Sequence, residues 1–369
     1  MKGAPEPGAD AQVEAEAELM LPHLWQKPTF KELLDCLEKL HVAPPVWNLK
    51  VSRAEIIRRE QEASTAHYRR EVVAFLSTIV SSGLPWLDND DQREEVWNEA
   101  SKRLAARCGR TAMGEITRCW PFDHEEYGSF SLVIREPALT GDSLGLKTWG
   151  SSYVLAQLLH QFSSGPLGHL FPSASEPVTG ASIEPPEVLE LGSGTGLLGL
   201  AAAYIWRTHM VLTDLSIIMP NLAHNAELNR ATIEERGGHV ETAPLTWGGT
   251  EDEDIHPRFT TGKYYKLIIV ADPLYDNDHP ALLARAIHTQ LCLESDARVL
   301  VMVPQRDEIT KGLTHDLREE MSQQSSPLVC VEENLVPGED DWEGSGAGDE
   351  TQRVGFWWGV FKRDQGTES

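Results

Sequence analysis

The second half of the chain alternates short apolar runs with segments in which apolar residues recur at helical spacing. Strands are predicted at 187–191, 210–213, 239–243, 266–271 and 298–303, and helices at 197–206, 217–229, 280–292 and 308–323. An earlier strand at 131–136 and a helix that begins after Trp149 belong to the same pattern. Because strands that alternate with helices form parallel sheets with helices on both faces, the pattern predicts an α/β fold.

The end of the chain departs from this alternation. Two strand patterns, Leu328 to Glu332 and Val354 to Lys362, are joined by an acidic, glycine-rich segment without helical periodicity. Successive strands that lack a crossover helix pair antiparallel. We therefore predict a doubly wound, seven-stranded, Rossmann-like sheet that is finished by a C-terminal antiparallel hairpin.

The front third of the chain contains helical patterns only. Helices are predicted over Phe30 to Leu40, from the capping box of Ser52 and Glu55 to Gly83, from Asp91 to Gly109, and over 112–120. The first residues are rich in Ala, Glu, Gly and Pro, a composition typical of mobile segments. We predict three parts: a mobile acidic tail at 1–25, a helical region at 26–128 that docks a substrate or covers the sheet, and an α/β domain at 129–369.

The charge of the chain narrows the range of partners. Its 369 residues include 57 acidic and 32 basic ones, which gives a formal net charge of −25. So acidic a chain is a poor general ligand of phosphate backbones, which makes nucleic acid an unlikely partner and suits a basic protein better. Solubility alone is the commoner reason for such a charge.

Cysteine and histidine spacing predicts neither a metal site nor a disulfide framework. The five cysteines form no C-x-x-C pair, and the thirteen histidines show no H-E-x-x-H spacing. The N-terminus lacks a basic-then-apolar leader, and no apolar run approaches the ~18 residues of a membrane span. These features predict no membrane segment and a reducing location, cytoplasmic or nuclear.

Three glycines at alternate positions, Gly192, Gly194 and Gly196, separate the strand at 187–191 from the helix at 197–206. Glycine permits positive φ and a close approach of the backbone to a ligand, and the helix start offers unpaired N–H groups. This turn, with Ser193 between its first two glycines, predicts a nucleotide-like cofactor. The residues from Gly194 fit the dinucleotide pattern G-x-G-x-x-G, and Asp214 would accept a hydrogen bond from a ribose hydroxyl.

Two features favour S-adenosylmethionine over a dinucleotide. Glu190 precedes the first glycine by two residues, where its carboxylate would face the cationic methionyl end of S-adenosylmethionine but would repel a pyrophosphate. The C-terminal hairpin is typical of the methyltransferase variant of the doubly wound fold, whereas a nicotinamide domain would continue with another helical crossover. A turn that binds no ligand is the structural alternative.

The segment Asp272-Pro273-Leu274-Tyr275 directly follows the strand at 266–271, which ends at Ala271. Ligands of open α/β sheets bind beyond the carboxyl ends of strands, so Asp272 and Tyr275 are candidate catalytic residues. If the substrate is a lysine, its amine must lose its proton before it can accept a methyl group. Asp272 would orient that amine, and Tyr275 would offer a ring face to a cation. An ordinary turn after a strand is the alternative.

Two tryptophans are candidates for contact with the cofactor. Trp149 precedes the first helix of the α/β domain, and Trp247 follows the third strand of the alternating series, where an adenine would lie. Flat rings suit an adenine or a methionyl chain. In a chain with eleven tryptophans, a place in the core is the competing explanation.

Together these motifs resemble family 16 of the seven-β-strand methyltransferases, a group dominated by protein-lysine methyltransferases of non-histone substrates. The resemblance covers about 129–369 and is carried by Gly145 to Trp149, Glu190 to Gly196, Leu212 to Asp214, Asn221 to Asn229, Leu245 to Gly248, and Asp272 to Tyr275, the last of which matches the D/E-x-x-Y/F motif of the group. It implies cofactor contacts at Trp149, Gly192 to Gly194, Asp214, Trp247 and Ala271. Gly150 and the long loop at 163–187 depart from many relatives at the substrate entrance.

The helical front most resembles the fungal enzymes that methylate lysine on translation elongation factor 2. The leading hypothesis is therefore an S-adenosylmethionine-dependent protein-lysine N-methyltransferase with a translation factor as its substrate. Methylation of a nucleic-acid amine or a small molecule is an alternative, because Asp-Pro-Leu-Tyr is one residue from the D-P-P-Y pattern that orients an exocyclic amine. A non-catalytic adaptor that retains the fold is the third hypothesis.

Overall fold

The computed structural model describes residues 21–40, 66–105, 115–138, 144–171, 185–248, 255–262, 264–339 and 353–364. The predicted tail up to residue 20 and the capping box of Ser52 and Glu55 lie outside these ranges. The described residues fall into two compact units, one made of helices up to residue 107 and one that contains the sheets from residue 108 onwards. None of the helices in these ranges combines the length and apolar character that crossing a bilayer requires.

In its described residues the first unit consists of the helices α1 (Phe30–Lys39), α2 (Ala66–Ser81) and α3 (Asp90–Ala105). Helix α1 begins at a capping box, in which Thr29 Oγ1 accepts from the Glu32 N–H at 3.3 Å and the Glu32 carboxylate accepts from the Thr29 N–H at 2.7 Å. Leu33, Leu76 and Val96, one from each helix, are buried in a shared core. Each helix thus buries one apolar face inside the unit.

The strands of the second unit are β1 (Ile116–His124), β2 (Gly128–Glu136), β3 (Val188–Leu191), β4 (His209–Asp214), β5 (His239–Pro244), β6 (Leu267–Ala271), β7 (Arg298–Gln305), β8 (Leu328–Glu339) and β9 (Arg353–Arg363). Its helices are α4 (Gly150–Ser164), α5 (Leu197–Trp206), α6 (Met219–Glu235), α7 (His279–Gln290) and α8 (Glu308–Ser322). Among the described residues, seven strands form one sheet in the order β5-β4-β3-β6-β7-β9-β8. Strands β3 to β7 are parallel, whereas β9 pairs antiparallel with both β7 and β8. The predicted doubly wound sheet with a C-terminal hairpin is confirmed.

The strand order reverses at the centre of this sheet. From β3 the chain moves outward through β4 to β5, and it then crosses back to place β6 on the other side of β3. Strands β3 and β6 are therefore neighbours, with Val188 paired to Leu267. Ligands of open α/β sheets bind at such a switch point. The glycine turn follows β3 and the Asp272 segment follows β6, so both lie at this point.

The helix predicted at 112–120 is wrong over its described residues, because strand β1 begins at Ile116; residues 112–114 lie outside the described ranges. Buried and exposed side chains alternate along β1, and Trp120 and Phe122 are among the buried ones. This period of two is that of a strand. Strand β1 pairs antiparallel with β2, with Trp120 opposite Leu132. Sheet structure therefore begins before residue 129, where the α/β domain was expected to start.

Helix α6 joins the β1–β2 hairpin to the glycine turn through the asparagines Asn221, Asn225 and Asn229. Asn229 pairs with the backbone N–H and C=O of Val133 at 2.8 Å each, and Asn225 pairs with those of Arg135 at 2.9 and 3.0 Å. Asn225 Nδ2 also donates to the carbonyl of Thr195 at 2.9 Å. Residues four apart lie on the same helix face, so all three asparagines point towards β2. Their side-chain amides bond to backbone groups of β2 in the way that a neighbouring strand would.

Candidate active site

A cavity of about 510 Å³ opens at the switch point between β3 and β6. Its wall is formed by the glycine turn, the ends of β4, β5 and β6, and the segment before α4. The site residues predicted from the sequence that line it are Trp149, Gly192, Ser193, Gly194, Asp214, Trp247, Ala271, Asp272 and Tyr275. The structure thus places the glycine turn and the Asp272 segment around one cavity, whereas Glu190 and Gly196 are not among the residues that line it.

The glycine turn adopts backbone conformations that other residues rarely adopt. Gly192, Gly194 and Gly196 have φ values of 70°, 56° and 90°. A Cβ on Gly192 would lie 3.1 Å from the ring of Trp247, and one on Gly194 would lie 3.2 Å from the carbonyl oxygen of Gly145. Side chains at these two positions would narrow the cavity. The turn therefore presents bare backbone to whatever the cavity binds.

Asp214 ends β4 and contacts the glycine turn from the neighbouring strand. Its Oδ2 accepts from the Gly194 N–H and its Oδ1 from the Leu215 N–H, both at 2.7 Å. Burial raises the pKa of Asp214 to about 6, although the two N–H groups favour the charged form. The carboxylate is therefore charged at neutral pH and retains lone pairs that can accept from a ligand hydroxyl.

The position of Glu190 differs from the expected one, in which its carboxylate contacts the ligand. The side chain is buried behind the glycine turn, and its Oε2 lies where a Cβ on Gly199 would be only 2.3 Å away. Because successive side chains of a strand point to opposite faces, Glu190 shares the face of Val188, which helix α5 covers. In this place Glu190 supports the glycine turn from below. Its contact with a cofactor stays a prediction.

The buried Glu190 predicts how stability depends on pH. Burial raises the pKa of Glu190 from 4.5 to about 8, and the Asp214 carboxylate adds to this effect against the Ser193 hydroxyl. The folded protein therefore binds more protons than the unfolded chain between these values. The contribution of Glu190 to stability is fully present below pH about 4.5, and we expect it to fall by about 1.4 kcal/mol per pH unit up to pH about 8.

Denaturant unfolding of the wild type and of Glu190→Gln checks this slope. The comparison is made above pH about 6, where Asp214 has already titrated. The variant should lose the slope and should be the more stable protein at pH about 8. Equal slopes in the two proteins would contradict the assignment.

A matched pair of helical glycines tests how closely α5 packs on the sheet. A Cβ on Gly199 would lie 2.1 Å from Leu212 Cδ2, whereas one on Gly312 in α8 would meet nothing within 4 Å. Gly199→Ala should lower the free energy of unfolding by about 1–3 kcal/mol through overpacking. Gly312→Ala should raise it by about 0.5–1 kcal/mol, since alanine is the better helix former. Chemical denaturation measures both, and a loss of stability in both variants would refute the packing argument.

Asp272 is fixed by Arg306, an arginine that no sequence motif singled out. Arg306 donates from Nη2 to Oδ2 at 2.6 Å and from Nη1 to Oδ1 at 3.1 Å, and the two side chains are only 12% and 7% exposed. The backbone of Asp272 has a φ of 55° and donates to the Met302 carbonyl of β7 at 2.9 Å. A bidentate arginine fixes the direction of a carboxylate as well as its charge.

The strand order of the sheet provides a signal for Arg306 that the sequence alone does not contain. Arg306 directly follows β7, and β7 is the neighbour of β6, which Asp272 follows. The carboxyl ends of neighbouring parallel strands lie at the same edge of a sheet. Charged residues just beyond two such strands are therefore candidates for a pair.

Tyr275 lies at the mouth of the cavity and is 55% exposed. Its ring meets His279 edge-on with 4.2 Å between centroids, and its N–H donates to His279 Nδ1 at 3.4 Å. Partial burial raises the pKa of Tyr275, and the carboxylates of Asp214, Asp272 and Asp276 add to this effect. The phenol therefore keeps its proton at neutral pH and can donate a hydrogen bond.

Two tryptophan rings flank the cavity. Trp149 has two cations over its ring, with Lys147 Nζ 4.4 Å and Arg306 Cζ 5.6 Å from the centroid. Trp247 lies across from the glycine turn and meets His279 edge-on at 6.2 Å. Cation–π contacts favour one orientation of the Trp149 ring. Arg306 thus connects that ring to Asp272.

Comparison with known proteins identifies the family. A family model described as lysine methyltransferase matches residues 129–320, which are more than half of the chain. The chain belongs to this lysine methyltransferase family. The match starts at residue 129, which is also where the family resemblance found in the sequence begins.

Three relatives of this chain are named as lysine methyltransferases. Protein-lysine N-methyltransferase EFM2 of Saccharomyces cerevisiae is 32% identical over 263 residues, which are 69% of this chain and 58% of the yeast protein. Protein-lysine N-methyltransferase rrg1 of Schizosaccharomyces pombe is 28% identical over 287 residues, 78% of this chain and 82% of that protein. Protein N-lysine methyltransferase METTL21A of Danio rerio is 32% identical over 138 residues, 37% of this chain and 58% of that protein. The matched region thus spans little more than half of the first relative.

Membership of the lysine methyltransferase family decides between the two cofactors in favour of S-adenosylmethionine. The cavity fits this cofactor in size, because about 510 Å³ lies within the range of small-molecule pockets. It also fits in chemistry. The bare backbone at Gly192 and Gly194 leaves room that a Cβ would fill, Asp214 offers a charged acceptor, and Trp149 and Trp247 offer flat apolar faces.

Proposed function

We propose that the protein methylates the ε-amine of a lysine on a protein substrate, and that this substrate is a translation factor, elongation factor 2 in particular. The observation that carries the proposal is the common cavity of the glycine turn and the Asp272–Tyr275 segment. A cofactor at the turn and an amine at the segment would lie side by side, because β3 and β6 are neighbours in the sheet. The catalytic roles of Asp272 and Tyr275 are part of the proposal.

Bound S-adenosylmethionine supplies a methyl group that is already activated on a sulfonium, so the protein must align a neutral amine and exclude water. A free lysine has a pKa of about 10.4 and carries a proton at neutral pH. Apolar residues at the cavity, among them Leu215, Ile217 and Leu282, disfavour the charged form of an amine that enters. Loss of the proton to water during entry would give the amine a free lone pair.

Asp272 would then orient the amine by accepting a hydrogen bond from its N–H. Its two carboxylate oxygens already accept from Arg306, so the side chain cannot swing away from the cavity. Each oxygen retains a lone pair for a further donor. Tyr275, which keeps its hydroxyl proton, would offer its ring face to the product side chain, whose methylated amine becomes cationic again.

Several observations support a protein substrate of the translation-factor kind. The formal net charge of −25 suits a basic partner. The matches to EFM2 and rrg1 cover 69% and 78% of the chain, which is more than residues 129–369 can supply. The surplus is about 14 residues for EFM2 and about 47 for rrg1, so the rrg1 match must extend into the helical front. The resemblance of that region to fungal enzymes of elongation factor 2 first indicated this substrate.

Methyl-labelled S-adenosylmethionine and a cell lysate test the proposal. Label that survives nuclease, disappears with protease and maps by mass spectrometry to lysine of elongation factor 2 is the expected result. Label that is lost with nuclease would favour methylation of a nucleic-acid amine instead. Calorimetry that detects no binding of S-adenosylmethionine would favour the non-catalytic adaptor. Labelled lysine on a different protein would retain the activity and refute the substrate.

A further inference from the structure

Two histidines and a glutamate converge at the end of the sheet that lies opposite the cavity. His209 and His239 are the first residues of β4 and β5, and they are paired with each other across the two strands. Glu241 follows His239 by two residues, so its side chain points to the same face of β5. Its Oε1 lies 3.6 Å from His209 Nε2 and 3.8 Å from His239 Nε2.

We infer that His209, His239 and Glu241 bind a divalent transition-metal ion, for which zinc is the best fit. Imidazole nitrogens and a carboxylate oxygen are established zinc ligands, with bonds of about 2.0–2.2 Å. Tetrahedral bonds of that length separate the ligand atoms by about 3.3–3.6 Å. The distances between Glu241 and the histidines are close to this range, and all three ligand atoms lie within 4.8 Å of one another. Small side-chain rotations would close them around an ion, with the fourth position open to water.

The carboxylates around the three ligands have the arrangement of a metal site. Each histidine turns its other ring nitrogen towards a further carboxylate. His209 Nδ1 lies 3.3 Å from Glu187, and His239 Nδ1 lies 3.9 Å from Glu234. The Glu187 carboxylate is close enough to favour the His209 tautomer in which Nε2 carries the lone pair, whereas the distance from His239 to Glu234 is too long for a hydrogen bond.

The neighbouring arginine leaves the proposed ligand oxygen available. Arg258 donates from Nη1 to Oε2 of Glu241 at 2.6 Å and thereby keeps Oε1 directed at the histidines. His209 Nε2 is buried and has no hydrogen-bond partner among the described residues. This ring nitrogen is therefore available as a ligand atom.

The position of the site indicates a structural role. Strand β5 is at the edge of the sheet, and an ion bound to His209 and His239 would tie it to β4. An edge strand gains protection from such a tie. His209 and Asp214 are at opposite ends of β4, about 17 Å apart for a strand of this length, so the ion would take no part in methyl transfer.

No short metal-binding motif of the sequence describes this site. The ligands come from two strands, with 29 residues between the histidines, whereas H-E-x-x-H places its ligands on one helix. The site therefore departs from the sequence-based expectation that the protein has no metal.

Calorimetric titration of the chelator-treated, full-length protein with zinc chloride tests the inference. The wild type should bind one equivalent of zinc, and its Tm should rise with zinc concentration, because a ligand of the folded state stabilises it. His209→Ala/His239→Ala should lose both effects. His315→Ala, which removes an exposed histidine of α8, is the matched control and should keep both.

Binding should also weaken in Glu241→Gln, which keeps the size of the side chain and removes its charge. Circular dichroism of each variant separates the loss of a ligand from the loss of the fold. The inference is overturned if the folded wild type takes up no zinc, or if the folded double variant binds zinc as the wild type does. Neither outcome bears on methyl transfer, which is measured separately.

Discussion

Replacing Asp272 by alanine is expected to reduce methyl transfer by about 100-fold, the effect of a misplaced reacting group. The amine would lose the acceptor that orients it, while the glycine turn, Asp214 and Trp247 would remain in place on other strands. The affinity for S-adenosylmethionine should therefore change little. Single-turnover transfer and calorimetric binding of S-adenosylmethionine measure the two quantities separately.

Controls for Asp272→Ala must account for its ion pair with Arg306. Removal of one partner from a buried pair costs about 3–5 kcal/mol of stability, so the Tm of the variant has to be measured as well. Asp272→Asn keeps the shape of the side chain, and Asp276→Ala removes an exposed carboxylate from the same segment. Transfer should be low in the first and close to the wild type in the second. Full activity of a folded Asp272→Ala variant would refute the role of this carboxylate.

We expect Arg306 to act on the amine through Asp272, as a positioning residue, although its guanidinium also lies over the Trp149 ring. Its guanidinium forms two hydrogen bonds to the carboxylate, which a lysine ammonium cannot reproduce in the same geometry. Arg306→Lys should thus lower transfer less than Asp272→Ala does.

Replacing Asp214 by alanine is expected to weaken the binding of S-adenosylmethionine by about 10- to 150-fold, which corresponds to the ~1.5–3 kcal/mol of a hydrogen bond to a charged group. The ligand would lose a charged acceptor, and the Gly194 N–H would lose the oxygen that it now donates to. At saturating cofactor the transfer step should be close to that of the wild type. Calorimetric titration and transfer kinetics distinguish the two effects.

The pKa of Asp214 provides an independent check of this prediction. Its value of about 6 means that the wild type loses the carboxylate charge as the pH falls below that point. The affinity for S-adenosylmethionine should therefore decline below pH about 6 in the wild type and stay level in Asp214→Asn. If Asp214→Ala and Asp272→Ala lost cofactor binding equally, the division of roles between the two carboxylates would be contradicted.

Local patterns were sufficient wherever a segment's neighbours along the chain decide its structure. The alternation of strands and helices predicted the sheet, and the glycines after Leu191 predicted a turn that needs positive φ. The two successive strands at the end predicted the hairpin of β8 and β9. The helix prediction at 112–120 failed, because strand β1 depends on its pairing with β2 and shows itself in the alternation of its buried residues.

Side-chain direction and contacts between distant segments could not be predicted from the sequence. The pleat of β3 turns Glu190 towards α5, and only the packing of that helix shows this direction. Arg306 lies 34 residues from Asp272 in the chain and 2.6 Å from it in space.

The sequence by itself thus determined the class of fold, the glycine turn and the residue types at the carboxyl ends of the strands, because propensity, periodicity and turn chemistry are local. Only the tertiary structure decided which side chains meet. The order of the strands places β3 beside β6, their register pairs His209 with His239, and helix packing buries Glu190. Each of these depends on contacts between segments far apart in the chain, for which a single sequence contains no local signal.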